Sequence, residues 1–171
     1  MIKKLISGLI AGLALAVPGE ARLEDGTKPL LELMSSNGIA LRYNNSDCTS
    51  GEYLGLYRHR GMKRAMVLCY GATVDAEDHM VVRHEAIHAI QHCVNAARGT
   101  STDAPIINNP NDFAEFVMAN LPQEDIEWVK SMYPESQWLT ELEAFAGANA
   151  YTSSELEDLF LDACTIQEDD V

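Results

Sequence analysis

Residues 82–94 read Val82-Arg83-His84-Glu85-Ala86-Ile87-His88-Ala89-Ile90-Gln91-His92-Cys93-Val94. On a helical wheel advancing about 100° per residue from His84, His88 falls at about 40°, His92 at about 80° and Glu85 at about 100°. One side of the helix therefore carries three imidazoles and a carboxylate. Ala89, Val82, Cys93, Ala86, Ile90, Val94 and Ile87 fill the arc from about 140° to 300°, which leaves Arg83 and the helix ends for water. The segment is expected to form one continuous helix buried on most of its sides.

His84-Glu85-Ala86-Ile87-His88 is a His-Glu-x-x-His motif. Two neutral imidazoles one turn apart can hold Zn²⁺ at about 2.0–2.1 Å, and the Glu between them can take a proton from the water that the metal activates. Two histidines at this spacing can also be hydrogen-bonded core residues. With five histidines in 171 residues, however, chance supplies only about 0.01 such motifs, and this one sits in helical context. The reading is a zinc site, with His84 and His88 as ligands and Glu85 as general base.

The chain begins Met1-Ile2-Lys3-Lys4 and continues in an apolar run from Leu5 to Val17. A basic start, an apolar run shorter than the roughly 20 residues of a membrane span, and small-x-small sites ending at Ala16 or Ala21 read as a secretory signal peptide over residues 1–21. The expected destination is secreted or periplasmic, with no stable membrane span after cleavage. Residues 22–171 then have single-domain length, without repeats or a long linker. The net charge of −14 argues against nucleic acid as a partner, because binding phosphate needs a basic patch. Only Arg58-His59-Arg60 and Lys63-Arg64 cluster in the sequence.

Four cysteines follow the leader: Cys48, Cys69, Cys93 and Cys164. An even number in an exported chain implies two disulfides, and no Cys-x-x-Cys is present to form a zinc knuckle or redox site. Three pairings are possible. Cys48–Cys69 in the strand region and Cys93–Cys164 between the motif helix and the last helix are favoured.

Residues 27–37 read as a helix stopped at Asn37-Gly38. Ile39–Tyr43, Glu52–Arg58 and Arg64–Tyr70 read as strands of a small antiparallel sheet, the last two forming a hairpin about Arg60-Gly61. His59 in that turn and His79 before the motif helix are expected to be solvated. Beyond Arg98-Gly99, residues 100–111 read as a loop able to border a cleft. Helices follow from Asp112, from Pro122 and from Ser136, and Ser154-Glu155-Leu156-Glu157 reads as the capping box of the last. The layout is α+β, helix-rich with one small sheet.

A third ligand is needed. The downstream helix Leu139-Thr140-Glu141-Leu142-Glu143-Ala144-Phe145-Ala146-Gly147-Ala148 offers Glu141 and Glu143 beside small residues that permit close helix approach. Together the two segments resemble the gluzincin branch of the zincin metallopeptidases, whose second helix often reads Glu-x-Glu-Ala-(Asp/Asn)-x-x-Ala with the first Glu on zinc. Glu141, Glu143, Ala144 and Ala148 match. Phe145 stands where Asp or Asn commonly orients a zinc-binding histidine, so the hydrogen bonds behind the ligands must be built differently.

The resemblance implies that residues 22–171 form a minimal zincin-like metallopeptidase domain with Zn²⁺ on His84, His88 and Glu141. It further implies peptide-bond hydrolysis of a peptide or protein substrate, with Glu85 as base and then proton donor. His92 and Tyr151 are the candidate oxyanion donors. The Phe145 departure motivates the alternative, a secreted zincin-fold binding or scaffold domain without turnover.

Overall fold

The computed structural model describes residues 27–164 apart from 45, 51–53, 61–62, 70–75 and 102. The expected leader and the acidic end at 167–171 lie outside the described residues. In chain order the elements are α1 (Thr27–Ser36), β1 (Ile39–Tyr43), a 3₁₀ turn (Ser46–Ser50), β2 (Gly55–Arg60), β3 (Lys63–Leu68) and α2 (Ala76–Arg98). Then come α3 (Pro110–Asn120), α4 (Gln123–Met132), a 3₁₀ turn (Glu135–Gln137), α5 (Trp138–Ala150) and α6 (Ser153–Cys164). This is the helix-rich α+β layout expected. Among the described residues no helix is long and apolar enough to cross a membrane.

Leu30 and Met34, one turn apart on α1, are fully buried, and the helix stops where Gly38 adopts φ +82°. The sheet differs from expectation. β3 is its centre, with β2 antiparallel on one side and β1 parallel on the other. The reason is connectivity: β2 is one chain reversal from β3, whereas β1 is two reversals away and so runs in the same direction. The sheet is mixed rather than antiparallel.

α2 runs across the sheet and is enclosed by α1, α5 and α6. Ile39, Met66 and Leu68 from the sheet meet Val82, Ala86 and Ile90 of α2, with Leu156 and Phe160 of α6 behind. A second cluster gathers Val117, Leu121, Ile126, Val129, Leu142 and Ala146 from α3, α4 and α5. Helix α5 serves both, Ala144 facing the first. Its small residues are what let it lie close to α2: a Cβ on Gly147 would come 2.8 Å from Ile87 Cδ1. Disulfides join Cys48 to Cys69 and Cys93 to Cys164, the favoured pairing, and the second ties α2 to α6.

Three local assignments are corrected. α3 is capped by Asn109, whose side chain accepts from the N–H groups of Asn111 and Asp112, with Pro110 opening the helix; Asp112 lies inside the first turn. The capping box of α6 pairs Thr152 with Glu155 rather than starting at Ser154. Arg83 does not face water: its Nε donates to Ala148 O at 2.9 Å. There it neutralises a carbonyl at the C-terminal end of α5, where the helix dipole favours a cation.

Candidate metal centre

His84 and His88, one turn apart on α2, face Glu141 in the first turn of α5. His84 Nε2 lies 3.0 Å from His88 Nε2. Glu141 Oε2 lies 3.3 Å from His84 Nε2 and 3.6 Å from His88 Nε2. Neighbouring ligand atoms on a tetrahedral zinc at about 2.0–2.1 Å are themselves about 3.3 Å apart, so the triangle has the size a cation would impose. Glu141 Oε2 is buried and finds no hydrogen bond. Two nitrogens and one oxygen converging on one point, the oxygen without a hydrogen-bond partner, form a donor set that zinc fits.

The same closeness shapes protonation in the metal-free protein. Burial pulls the His88 pKa down, but the Glu141 carboxylate outweighs it and raises His88 to about 9. Burial pushes Glu141 up, yet the two imidazoles hold its carboxyl far below the usual carboxylate range. A proton shared by this group is thus the competitor that a metal ion must displace.

Behind His88 stands a chain of hydrogen bonds. Its Nδ1 pairs with Gln91 Oε1 at 2.8 Å. Gln91 in turn donates from Nε2 to Glu143 Oε2 at 2.8 Å and to Thr140 O at 3.0 Å. With both Gln91 hydrogens so directed, its oxygen is left to accept, which puts the His88 proton on Nδ1 and frees Nε2 for a metal. Glu143 also accepts from the backbone N–H groups of Ile106 and Ile107 at 2.7 and 2.8 Å. Its carboxylate is therefore a buried anchor for the 100–109 loop. Of the two acidic candidates on α5, Glu141 joins the histidines and Glu143 does not.

His84 is held differently. Its ring packs against Phe145 at 4.2 Å between centroids, and its Nδ1 is buried without a hydrogen-bond partner. Phe145 also meets Trp128 edge-on at 5.5 Å, so the ring that stands in place of Asp or Asn belongs to the second apolar cluster. The departure seen in the sequence has a packing reason.

Glu85 is buried beside the triad. In the β2–β3 ladder the Cys69 N–H donates to Leu54 O, so by antiparallel alternation residues 55, 57 and 59 turn their backbone groups to the open edge. Tyr57 accordingly donates its N–H to Glu85 Oε2 at 2.6 Å. Such closeness requires Gly55, where a Cβ would fall 2.4 Å from Val81 Cγ1 and 2.8 Å from Glu85 Oε1. Burial raises the Glu85 pKa against the lowering influence of His84 and His88.

Glu85 and the triad open into a cleft of about 350 Å³, walled by Tyr57 and His59 of β2, His92 of α2 and Asp103 of the loop. His59 is not the solvated turn residue expected from sequence: it lies in β2, 4.1 Å from the His92 ring and 3.3 Å from Asp103 Oδ1. His92 stays neutral more readily than a free histidine because of burial, His59 and Arg64. Tyr151 does not line the cleft; its ring lies over Phe116 at 6.2 Å. His79 pairs with Thr27 Oγ1 at 2.5 Å, away from the triad. Sequence reasoning missed Gln91, His59 and Tyr57. For Gln91 a signal existed, since it follows His88 by three residues on the same helix face. No protein-family model, curated protein or solved structure matches this chain.

Proposed function

We propose that this chain is an exported zinc-dependent peptidase that hydrolyses peptide bonds with Glu85 as general base. The observation that carries the reading is the convergence of His84 Nε2, His88 Nε2 and Glu141 Oε2 at zinc-ligand spacing in the cleft that also holds Glu85. Bound there, zinc would supply Lewis acidity, polarising the substrate carbonyl and acidifying water. Glu85 takes the proton from water as its oxygen attacks the carbonyl carbon, then delivers that proton to the amine nitrogen as the C–N bond breaks. The Tyr57 N–H holds the Glu85 carboxylate in place through this exchange. His92, on the wall of the same cleft, is the candidate donor to the developing oxyanion. Export fits two disulfides, which persist in oxidising compartments, and the leader-like pattern of residues 1–21.

A second reading keeps the metal and drops turnover: a secreted zincin-fold binding domain. The observation that favours it is His84, which lacks the hydrogen-bonded support His88 has.

Two measurements test the proposal. Protein purified without chelators should carry about one zinc per chain, and a metal-to-protein ratio near zero would end both readings. The wild-type protein should cleave a peptide library in a chelator-sensitive way. Glu85→Gln should keep zinc yet lose at least about 10²-fold in turnover. Full zinc with no cleavage by either protein would leave the binding domain standing.

A further inference from the structure

The face of the sheet turned away from α2 carries an unexpected concentration of charge. Although the sequence has 12 Lys and Arg against 26 Asp and Glu, Arg42, Arg58, Arg60 and Lys63 of this face line one cavity of about 820 Å³, which Arg64 of the opposite face also borders. Arg42 is the member that sequence spacing hid, because only the β1–β3 pairing brings it beside the hairpin.

Register explains the shape. Cross-strand partners point to the same face, so the outer face holds the row Arg60–Lys63, the row Arg58–Ala65–Ala40 and the row Leu56–Val67–Arg42. Rows are about 6.8 Å apart and strands about 4.8 Å. Small side chains, Ala40 and Ala65, floor the middle, and long exposed cations rise at the rim. Arg64 belongs to the other face, where it donates to Asn37 O. Arg58 meets Asp47 at 3.1 Å. No carboxylate pairs with Arg42, Arg60 or Lys63 among the described residues. Arg60 and Lys63 stand directly opposite each other, a like-charge pairing that costs stability and that a bound anion would relieve.

We propose that this face is a docking groove for an extended acidic polypeptide segment. On the reading of the neighbouring cleft as a peptidase site, the segment belongs to the substrate. Three observations choose this occupant. Alternate side chains of an extended peptide repeat at about 6.8 Å, the spacing of the cationic rows. The protein's charge of −14 opposes a nucleic-acid backbone as occupant, and the outer-face rows hold none of the exposed large apolar side chains that would enter a lipid surface. Finally, β2 is the wall common to both cavities: Tyr57 and His59 line the cationic groove and the metal cleft alike. A chain crossing β2 reaches Glu85 on one side with its acidic flank on the other. Because the protein is strongly acidic overall, a cavity where several of its cations gather favours an acidic segment, which makes the groove selective.

The test uses zinc-loaded Glu85→Gln protein, so that binding is read without turnover. Fluorescent twelve-residue peptides with Glu at alternate positions are compared with the same peptides carrying Gln, at low and at high salt. The Glu peptide should bind about tenfold more tightly at low salt, and the preference should vanish at high salt and in an Arg42→Ala, Arg60→Ala, Lys63→Ala triple variant that unfolds at the same temperature as its parent. Equal binding of the two peptides, a preference indifferent to the triple change, or tighter binding of an oligonucleotide or of anionic vesicles would overturn the groove. Wild-type protein that prefers the Glu peptide but cleaves nothing sinks the peptidase reading and leaves the groove standing. A chelator-sensitive peptidase indifferent to acidic residues sinks the groove alone.

Discussion

The two histidines of the proposed metal centre sit one turn apart on a single helix, yet they are supported by opposite kinds of chemistry. His88 is backed by a polar chain that runs through Gln91 to Glu143 and into the backbone of Ile106 and Ile107. His84 is backed by the ring of Phe145 and, through it, by Trp128 and the second apolar cluster. A hydrogen bond fixes both the tautomer and the direction of an imidazole, whereas an apolar ring restricts direction only. The centre is therefore rigid on the side of His88 and held by packing on the side of His84. Phe145 packs on His84, so the amide support that α2 supplies through Gln91 reaches His88 alone.

The largest effect should come from the one ligand common to both sides. Glu141→Ala should abolish zinc binding in a calorimetric titration, beyond the roughly 10–100-fold lost when an outer hydrogen-bond partner is removed. Zinc uptake equal to wild type would show that the third ligand lies elsewhere.

Removing the anchor of the polar side comes next. Glu143→Ala takes one of the two acceptors of the Gln91 amide and leaves the half-buried N–H groups of Ile106 and Ile107 without theirs. Urea unfolding of the metal-free protein should register a loss of about 3–5 kcal/mol. Zinc affinity should fall with it, because Gln91 loses its orientation. A change below about 1 kcal/mol would mean that water replaces the carboxylate at little cost.

Gln91→Leu isolates the polar support from the loop it is joined to. Zinc should bind about 10–100-fold more weakly, with circular dichroism of the helices unchanged. If affinity is retained, His88 is positioned by packing as His84 is, and the comparison collapses.

The smallest effect belongs to the apolar side. Phe145→Leu keeps an apolar neighbour for His84, so zinc affinity should move by less than about threefold while stability drops by about 1 kcal/mol. A loss as large as that of Gln91→Leu would mean that the aromatic ring itself orients His84.

Parts of this architecture were legible in the residue string because they follow from local periodicity. The 3.6-residue repeat of 82–94 brings His84, Glu85 and His88 to one side of a helix whatever the rest of the chain does. The small residues of 144–148 announce that α5 packs closely, which is why Glu141 could be named as a candidate ligand. Glu141 and Glu143 could not be told apart in that way, since each is an acidic residue on the same helix and only the position of α5 against α2 decides which one meets the histidines. His59 was misjudged for a related reason: its role depends on β2 lying beside α2, across 33 residues of chain that no local pattern describes.

What the sequence by itself determined is the inventory and its local phase: a motif helix with two imidazoles and a carboxylate aligned, an acidic second helix, and four cysteines placed to pair. Those properties live in the helical repeat and in composition, and they need no distant partner. Tertiary structure alone decided the rest. The parallel pairing of β1 with β3 set Arg42 among the cations of the hairpin. The crossing of α5 over α2 joined Gln91 to Glu143 across 52 residues. The open edge of β2 brought the Tyr57 N–H to Glu85. Each of these depends on the register and approach of elements far apart in the chain, which are set by how whole faces pack rather than by any segment's own preference.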